Sequence, residues 1–146
     1  MRRLTVALLV LLAGVAPFVG MSPVWAQAAS PPPPEKLLDT MADTVGAPLR
    51  YPVGVARVSS FVLTMVPGQV TGWHRHDVPL YARVLSGTIT VDYGERGKKT
   101  YSAGDTFMEA MDRWHNGHVV GDAAAKLLIV FMGAEGAKNT IMRAPR

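Results

Sequence analysis

The sequence predicts an all-β fold, a sandwich or barrel, on three observations. From about Leu49 the chain is a succession of short segments rich in Val, Ile, Thr, Tyr and Phe. Turn residues (Gly, Pro, Asp, Ser) separate them at short spacing. No Gly-rich phosphate loop, serine nucleophile elbow or solenoid-period repeat interrupts the series. Short β-rich runs punctuated in this way are the pattern of sandwiches and barrels.

The elements follow in order. Val58–Val66 is β-branched and apolar and stops at Pro67-Gly68, where ring and glycine favour a turn. Tyr81–Leu85 leads into the turn Ser86-Gly87, after which Thr88–Tyr93 alternates apolar and polar side chains. Gly94-Glu95-Arg96-Gly97 is a hairpin loop answered by Lys98–Tyr101. Ala103-Gly104-Asp105 turns the chain again into Thr106–Ala110. His115–Val120 is the next strand, and Lys126–Met132 is an apolar run of the kind buried on both faces. Upstream, Leu37, Leu38 and Met41 within Glu35–Asp43 fit either a short helical face or a first strand.

The N-terminus reads as an export signal. Met1-Arg2-Arg3 is cationic, Leu4 to Phe18 is apolar, and Ala26 and Ala28 supply the small residues of a cleavage site. Gly14, Pro17 and Gly20 interrupt a run already short for a membrane span. The expectation is a signal peptide over residues 1–28, cut after Ala28 or, second choice, after Ala26, then a stiff Pro-rich linker over 29–35 and a β-barrel domain over 36–146. The protein is thus expected in the periplasm or secreted, with no membrane attachment after cleavage. Removing 28 of 146 residues leaves 118, enough for one core. Arg2 and Arg3 leave with the signal, so 13 basic residues face 11 acids. A net charge near +2 gives no reason to expect nucleic acid or anionic lipid as a partner.

The chemistry is concentrated in the histidines. Three of the four fall in two places, Gly72-Trp73-His74-Arg75-His76-Asp77 and Arg113-Trp114-His115-Asn116. On a strand, residues i and i+2 share a face, so His74 and His76 point the same way. Two neutral imidazoles converging on one point form half of a metal site; the alternative is a pair of surface histidines on a polar strand edge. No cysteine is present, so any metal must be held by nitrogen and oxygen. The eight methionines are scattered and read as core filling rather than a copper cluster.

These residues resemble the two motifs of the cupin superfamily, small jelly-roll barrels built around a central metal. The first motif runs Gly, five residues, His-x-His, three or four residues, Glu, six residues, Gly; Gly68, His74, His76 and Gly87 match it, and Leu80 stands where the glutamate belongs. The second runs Gly, five residues, Pro-x-Gly, two residues, His, three residues, Asn; Gly104 and His115 match, while Ala110, Asp112 and Val119 replace the Pro, Gly and Asn. The resemblance spans roughly Leu49 to Gly133 and is closest to small single-domain bacterial cupins.

The resemblance implies a cupin-type jelly roll in which His74, His76 and His115 hold a divalent transition metal such as Fe, Mn, Ni, Cu or Zn. Glu109, two residues from inward-facing Phe107, is the candidate to replace the glutamate lost at Leu80, as a fourth ligand or a general base; an outward, solvated glutamate is the alternative. Tyr81 and Arg83 are candidates to line the mouth and orient a small organic ligand or substrate, or else polar strand positions. His118 is expected at the rim, and Trp73 and Trp114 as packing aromatics facing away from the metal. Two copies pairing into a homodimer is a further expectation of the family. Three functions stay open: a metal-dependent dioxygenase, lyase or isomerase, a non-catalytic metal- or ligand-binding module, and a decayed barrel serving assembly.

Overall fold

A computed structural model describes residues 30–144. The expected signal peptide and its cleavage site lie outside the described residues. The chain divides between Pro34 and Glu35, and all the regular structure described falls in the second part.

Among the described residues there are nine strands, one 3-10 turn and no α-helix. The strands are β1 (Ala56–Met65), β2 (His74–Arg75), β3 (Leu80–Ser86), β4 (Thr88–Asp92), β5 (Lys98–Ser102), β6 (Thr106–Met108), β7 (Asn116–Val119), β8 (Ala125–Ala134) and β9 (Ile141–Met142). One sheet has the order β1-β8-β3-β6, a second β5-β4-β7, and β2 pairs with β9. Every one of these strand pairs is antiparallel. From β3 to β8 the chain passes back and forth between the two larger sheets, which is the winding of a jelly roll.

Alternation along the strands builds the core. Leu80, Ala82 and Val84 of β3 face inward with Leu127 and Phe131 of β8 and Ile89 and Val91 of β4. Burying one such aliphatic side chain stabilises the fold by about 1.5–3 kcal/mol. Tyr101 and Phe107 stack at 3.7 Å between ring centroids and fasten β5 to β6.

One expectation changes. Glu35–Asp43 is neither helix nor strand, because it has no apolar face to bury: Met41 is 89% exposed and Leu37 is also exposed. It is held instead by the buried carboxylate of Asp43, which accepts from Val45 N–H (3.0 Å), Ala47 N–H (2.8 Å) and Met111 N–H (3.1 Å). The apolar run in β1 lies at a sheet edge, so Val58 and Val62 face solvent and only the cavity side of its C-terminal end is covered.

Gly87 joins β3 to β4, and only glycine fits there. Its φ is +75°, and an added Cβ would meet the Ala124 carbonyl oxygen at 2.6 Å and Ala125 Cα at 2.7 Å. Asp112, where the second motif expects glycine, has φ +54° and is the one non-glycine residue with positive φ among the described residues. Aspartate tolerates this region better than most residues. Gly87→Ala should therefore destabilise the protein by about 2–4 kcal/mol, combining left-handed strain with overpacking against backbone. Chemical denaturation measures it; a loss below about 1 kcal/mol would show that the β3–β4 connection relaxes freely.

Candidate metal centre

The site begins with a pair of backbone hydrogen bonds. His74 N–H donates to His115 C=O at 3.0 Å and His115 N–H donates to His74 C=O at 2.8 Å, so the two residues sit directly opposite one another. Their side chains leave on the same face. His76 lies two residues beyond His74 on that face, fixed by Asp112 N–H donating to its carbonyl at 2.8 Å. The ring centroids are 4.9 Å apart for His74–His76, 4.4 Å for His74–His115 and 5.0 Å for His76–His115. One nitrogen from each ring lies within 4.8 Å of the other two.

Each ring is oriented through its Nδ1. His74 Nδ1 lies 2.8 Å from the Gly72 carbonyl, His115 Nδ1 2.9 Å from the Arg113 carbonyl, and His76 Nδ1 2.8 Å from the Asn139 carbonyl. A carbonyl only accepts, so each Nδ1 carries the hydrogen and each Nε2 is left with a free lone pair. His74 and His115 use the same device, a ring folded back onto the carbonyl two residues earlier across an intervening tryptophan. His115 Nε2 is buried and has no hydrogen-bond partner. A buried acceptor left unpaired costs about 1–3 kcal/mol. Three neutral nitrogen donors, one of them orphaned, fit a divalent first-row ion, and the Nδ1–carbonyl bonds are the kind that orient histidine ligands toward a metal.

Burial keeps these rings neutral. It lowers the pKa of His74 and His115 against the opposing pull of their carbonyl partners, and pushes His76 down to about 3 with help from neighbouring His115. Neutral imidazole is the form that ligates metal, so the site is ready without proton loss.

Glu109 enters from the side of the missing acid. Its N–H donates to the Leu80 carbonyl at 2.8 Å, placing it beside the residue that stands where the motif expects glutamate. Its side chain is 7% exposed and lines the cavity with Phe107, the inward direction expected from alternation. Oε1 accepts from Tyr93 O–H at 2.7 Å and Ala110 N–H at 2.8 Å; Oε2 lies 3.9 Å from His115 Nε2. Burial raises its pKa to about 7, partly offset by those two donors.

The four residues line one end of a cavity of about 270 Å³. The remaining wall is mainly apolar, with Leu63 and Met65 of β1, Leu80, Ile129 and Phe131, and none of the lining residues is Lys or Arg. Tyr81 and Arg83 correct the expectation that they line the mouth. They alternate with Leu80 and Ala82, which face the cavity, and so project from the other side of β3. His118 likewise alternates with the inward Gly117 and buried Val119. Trp73 and Trp114 are outside the lining; the Trp114 ring has Arg75 and Arg143 guanidinium groups 5.6 and 5.8 Å from its centroid. Sequence reasoning passed over Tyr93, although the inward series Ile89, Val91, Tyr93 along β4 and just past its end signals it. Nothing in the sequence signals the Asn139 carbonyl, because the segment bearing it reaches His76 only through the fold.

Comparison with known proteins agrees with this architecture. Residues 61–131, which include all three clustered histidines, match the Cupin domain family. Among solved structures, the chain is similar to the oxalate decarboxylase of Lactobacillus farciminis in its formate complex, with 19% identity, 58% of this chain and 26% of that chain covered, and a TM-score of 0.51. It is also similar to the DMSP lyase DddQ of Ruegeria pomeroyi, with 16% identity, 61% and 44% covered, and a TM-score of 0.53. At such identities the likeness concerns the fold, and this chain spans less than half the length of either. No curated protein matches it. Jelly-roll winding and the match over residues 61–131 agree on a cupin-type jelly-roll barrel.

Proposed function

We propose that this protein is an exported, metal-dependent cupin enzyme of the dioxygenase, lyase or isomerase class, acting on a small organic substrate. The observation that carries the proposal is the convergence of three histidines whose Nδ1 atoms are all engaged by carbonyls while one Nε2, that of His115, is buried without a partner. In this reading His74, His76 and His115 hold Fe, Mn, Ni, Cu or Zn. Such an ion supplies Lewis acidity to a donor atom of the substrate. Glu109, whose pKa near 7 suits proton transfer at neutral pH, adds an oxygen ligand or serves as general base. The cavity wall favours a compact substrate with an apolar body, since no lining cation offers to neutralise a second acidic group. Export over residues 1–28, a linker over 29–35, a barrel domain over 36–146 and a periplasmic or secreted location complete the proposal, supported by the N-terminal sequence. The open edge of β1, with Val58 and Val62 exposed, supports pairing of two copies.

Metal analysis of the full chain purified from its native compartment should find close to one divalent transition ion per protomer. His115→Ala should lower affinity by roughly 100-fold or more, beyond the loss typical of an outer-shell change. Equal metal content in wild type and His115→Ala would sink the proposed site. Oxygen uptake or substrate turnover that depends on the ion separates an enzyme from a binding module. For export, intact mass of the mature protein should place its first residue at Ala29, or at Gln27 for the alternative cut; a chain that retains Met1 would end that reading.

The metal-free protein should also lose stability in mild acid. His74, His76 and His115 each have a folded pKa below the ordinary 6.5, so below that pH the unfolded chain takes up protons that the folded protein refuses. Glu109 acts oppositely. Its folded value near 7 exceeds its ordinary 4.5, so its contribution is present below 4.5 and is lost as pH rises through 7. Between 4.5 and 6.5 His76, near 3 when folded, offsets Glu109, and the lowered His74 and His115 tip the balance toward loss of stability on acidification. Thermal melting of the chelator-treated protein should show the midpoint falling across this interval. A midpoint that is flat or rises on acidification would mean the rings are not held neutral.

A further inference from the structure

We propose that Tyr93 is a positioning residue of the metal centre: its phenol O–H, together with Ala110 N–H, holds Oε1 of Glu109 so that Oε2 alone is presented to His74, His76 and His115 as a fourth donor. The proposal rests on the reading of those histidines as metal ligands and assigns a task to a residue outside them.

The geometry is asymmetric in an informative way. Both donors to the Glu109 carboxyl, Tyr93 O–H at 2.7 Å and Ala110 N–H at 2.8 Å, converge on one oxygen. The other oxygen faces His115 Nε2 at 3.9 Å, and that nitrogen is the one without a partner. A carboxyl group with both donors on Oε1 cannot rotate to exchange its oxygens without breaking two hydrogen bonds in a buried site. The donor is itself held in place. Tyr93 is 3% exposed, and with its hydrogen committed to Glu109 its oxygen accepts from Tyr101 O–H at 3.4 Å. Tyr101 in turn accepts from Thr44 O–H at 2.5 Å, and its ring is stacked on Phe107. A chain of hydroxyls thus runs from the Asp43-anchored turn to the carboxyl beside the histidines.

Glu109 needs such a holder because of where it comes from. It reaches the cavity next to Leu80 rather than from Leu80's own position, so the direction of its carboxyl is set by its neighbours. Tyr93 directly follows β4, a strand of the sheet opposite β6, and its ring lies 5.8 Å from that of His115. It therefore braces Glu109 across the barrel.

Cobalt(II) binding to the full chain, followed by competition titration and by visible absorption, tests this. Tyr93→Phe deletes one oxygen and keeps the ring; it should weaken affinity by about tenfold, the lower end of outer-shell effects, and alter the cobalt spectrum. Glu109→Gln keeps an acceptor for Tyr93 but loses the charged oxygen, and should weaken affinity at least as much. The double variant should bind no more weakly than Glu109→Gln, because Tyr93 acts through Glu109. Tyr101→Phe, which leaves the Tyr93–Glu109 bond in place, should retain the wild-type spectrum. Wild-type affinity and spectrum in Tyr93→Phe, or additive losses in the double variant, overturn the proposal while the histidine site stands. Wild-type binding by Glu109→Gln overturns it independently of how Tyr93→Phe folds. A wild type that takes up no cobalt overturns the metal reading and the proposal with it.

Discussion

The reciprocal backbone pair between His74 and His115 is the constraint on which the site depends. Two hydrogen bonds at 3.0 and 2.8 Å join residues 41 positions apart and set both imidazoles on one face. His76 follows automatically, because a strand repeats its direction every second residue. The neighbouring contacts serve the same register: Thr71 N–H donates to Gly117 C=O at 2.9 Å, and Val70 bridges His118. A slip of one residue would turn the ring of His115 out of the cavity.

Around that pair the protein maintains a costly arrangement. Three imidazoles and a carboxyl are crowded into an apolar end of the barrel, where desolvation disfavours every charged form. The histidines lose their protons and Glu109 keeps its own up to about pH 7. Backbone carbonyls from Gly72, Arg113 and Asn139 satisfy one nitrogen of each ring and leave the other unused. A hydrophobic core of equal volume would be simpler to stabilise, so the retained polar cluster is itself an argument for function.

Glu109, beside Leu80, is supported from a different part of the fold than the histidines. Its carboxyl is held by the N–H of its neighbour Ala110 and by the phenol of Tyr93, which follows β4 in the sheet opposite β6. Tyr93, Tyr101 and Thr44 thereby tie the centre to the N-terminal segment. That segment has no regular structure of its own and is anchored through the carboxylate of Asp43. Site and lead-in form one hydrogen-bonded unit.

The sequence by itself determined most of the strands, the turns at Gly87 and Gly104, and the common face of His74 and His76. All of these follow from side-chain alternation and glycine's backbone freedom, which are local properties. Alternation was equally legible for Tyr81 and Arg83, but which face of β3 met the cavity was not, and those two proved to lie on the outer one. Tertiary structure alone decided that β1 is an edge strand, that the Asn139 carbonyl orients His76, and that Tyr93 and Ala110 claim a single oxygen of Glu109. Those outcomes depend on which distant segments meet, and a sequence pattern with a period of two or three residues carries no information about such meetings.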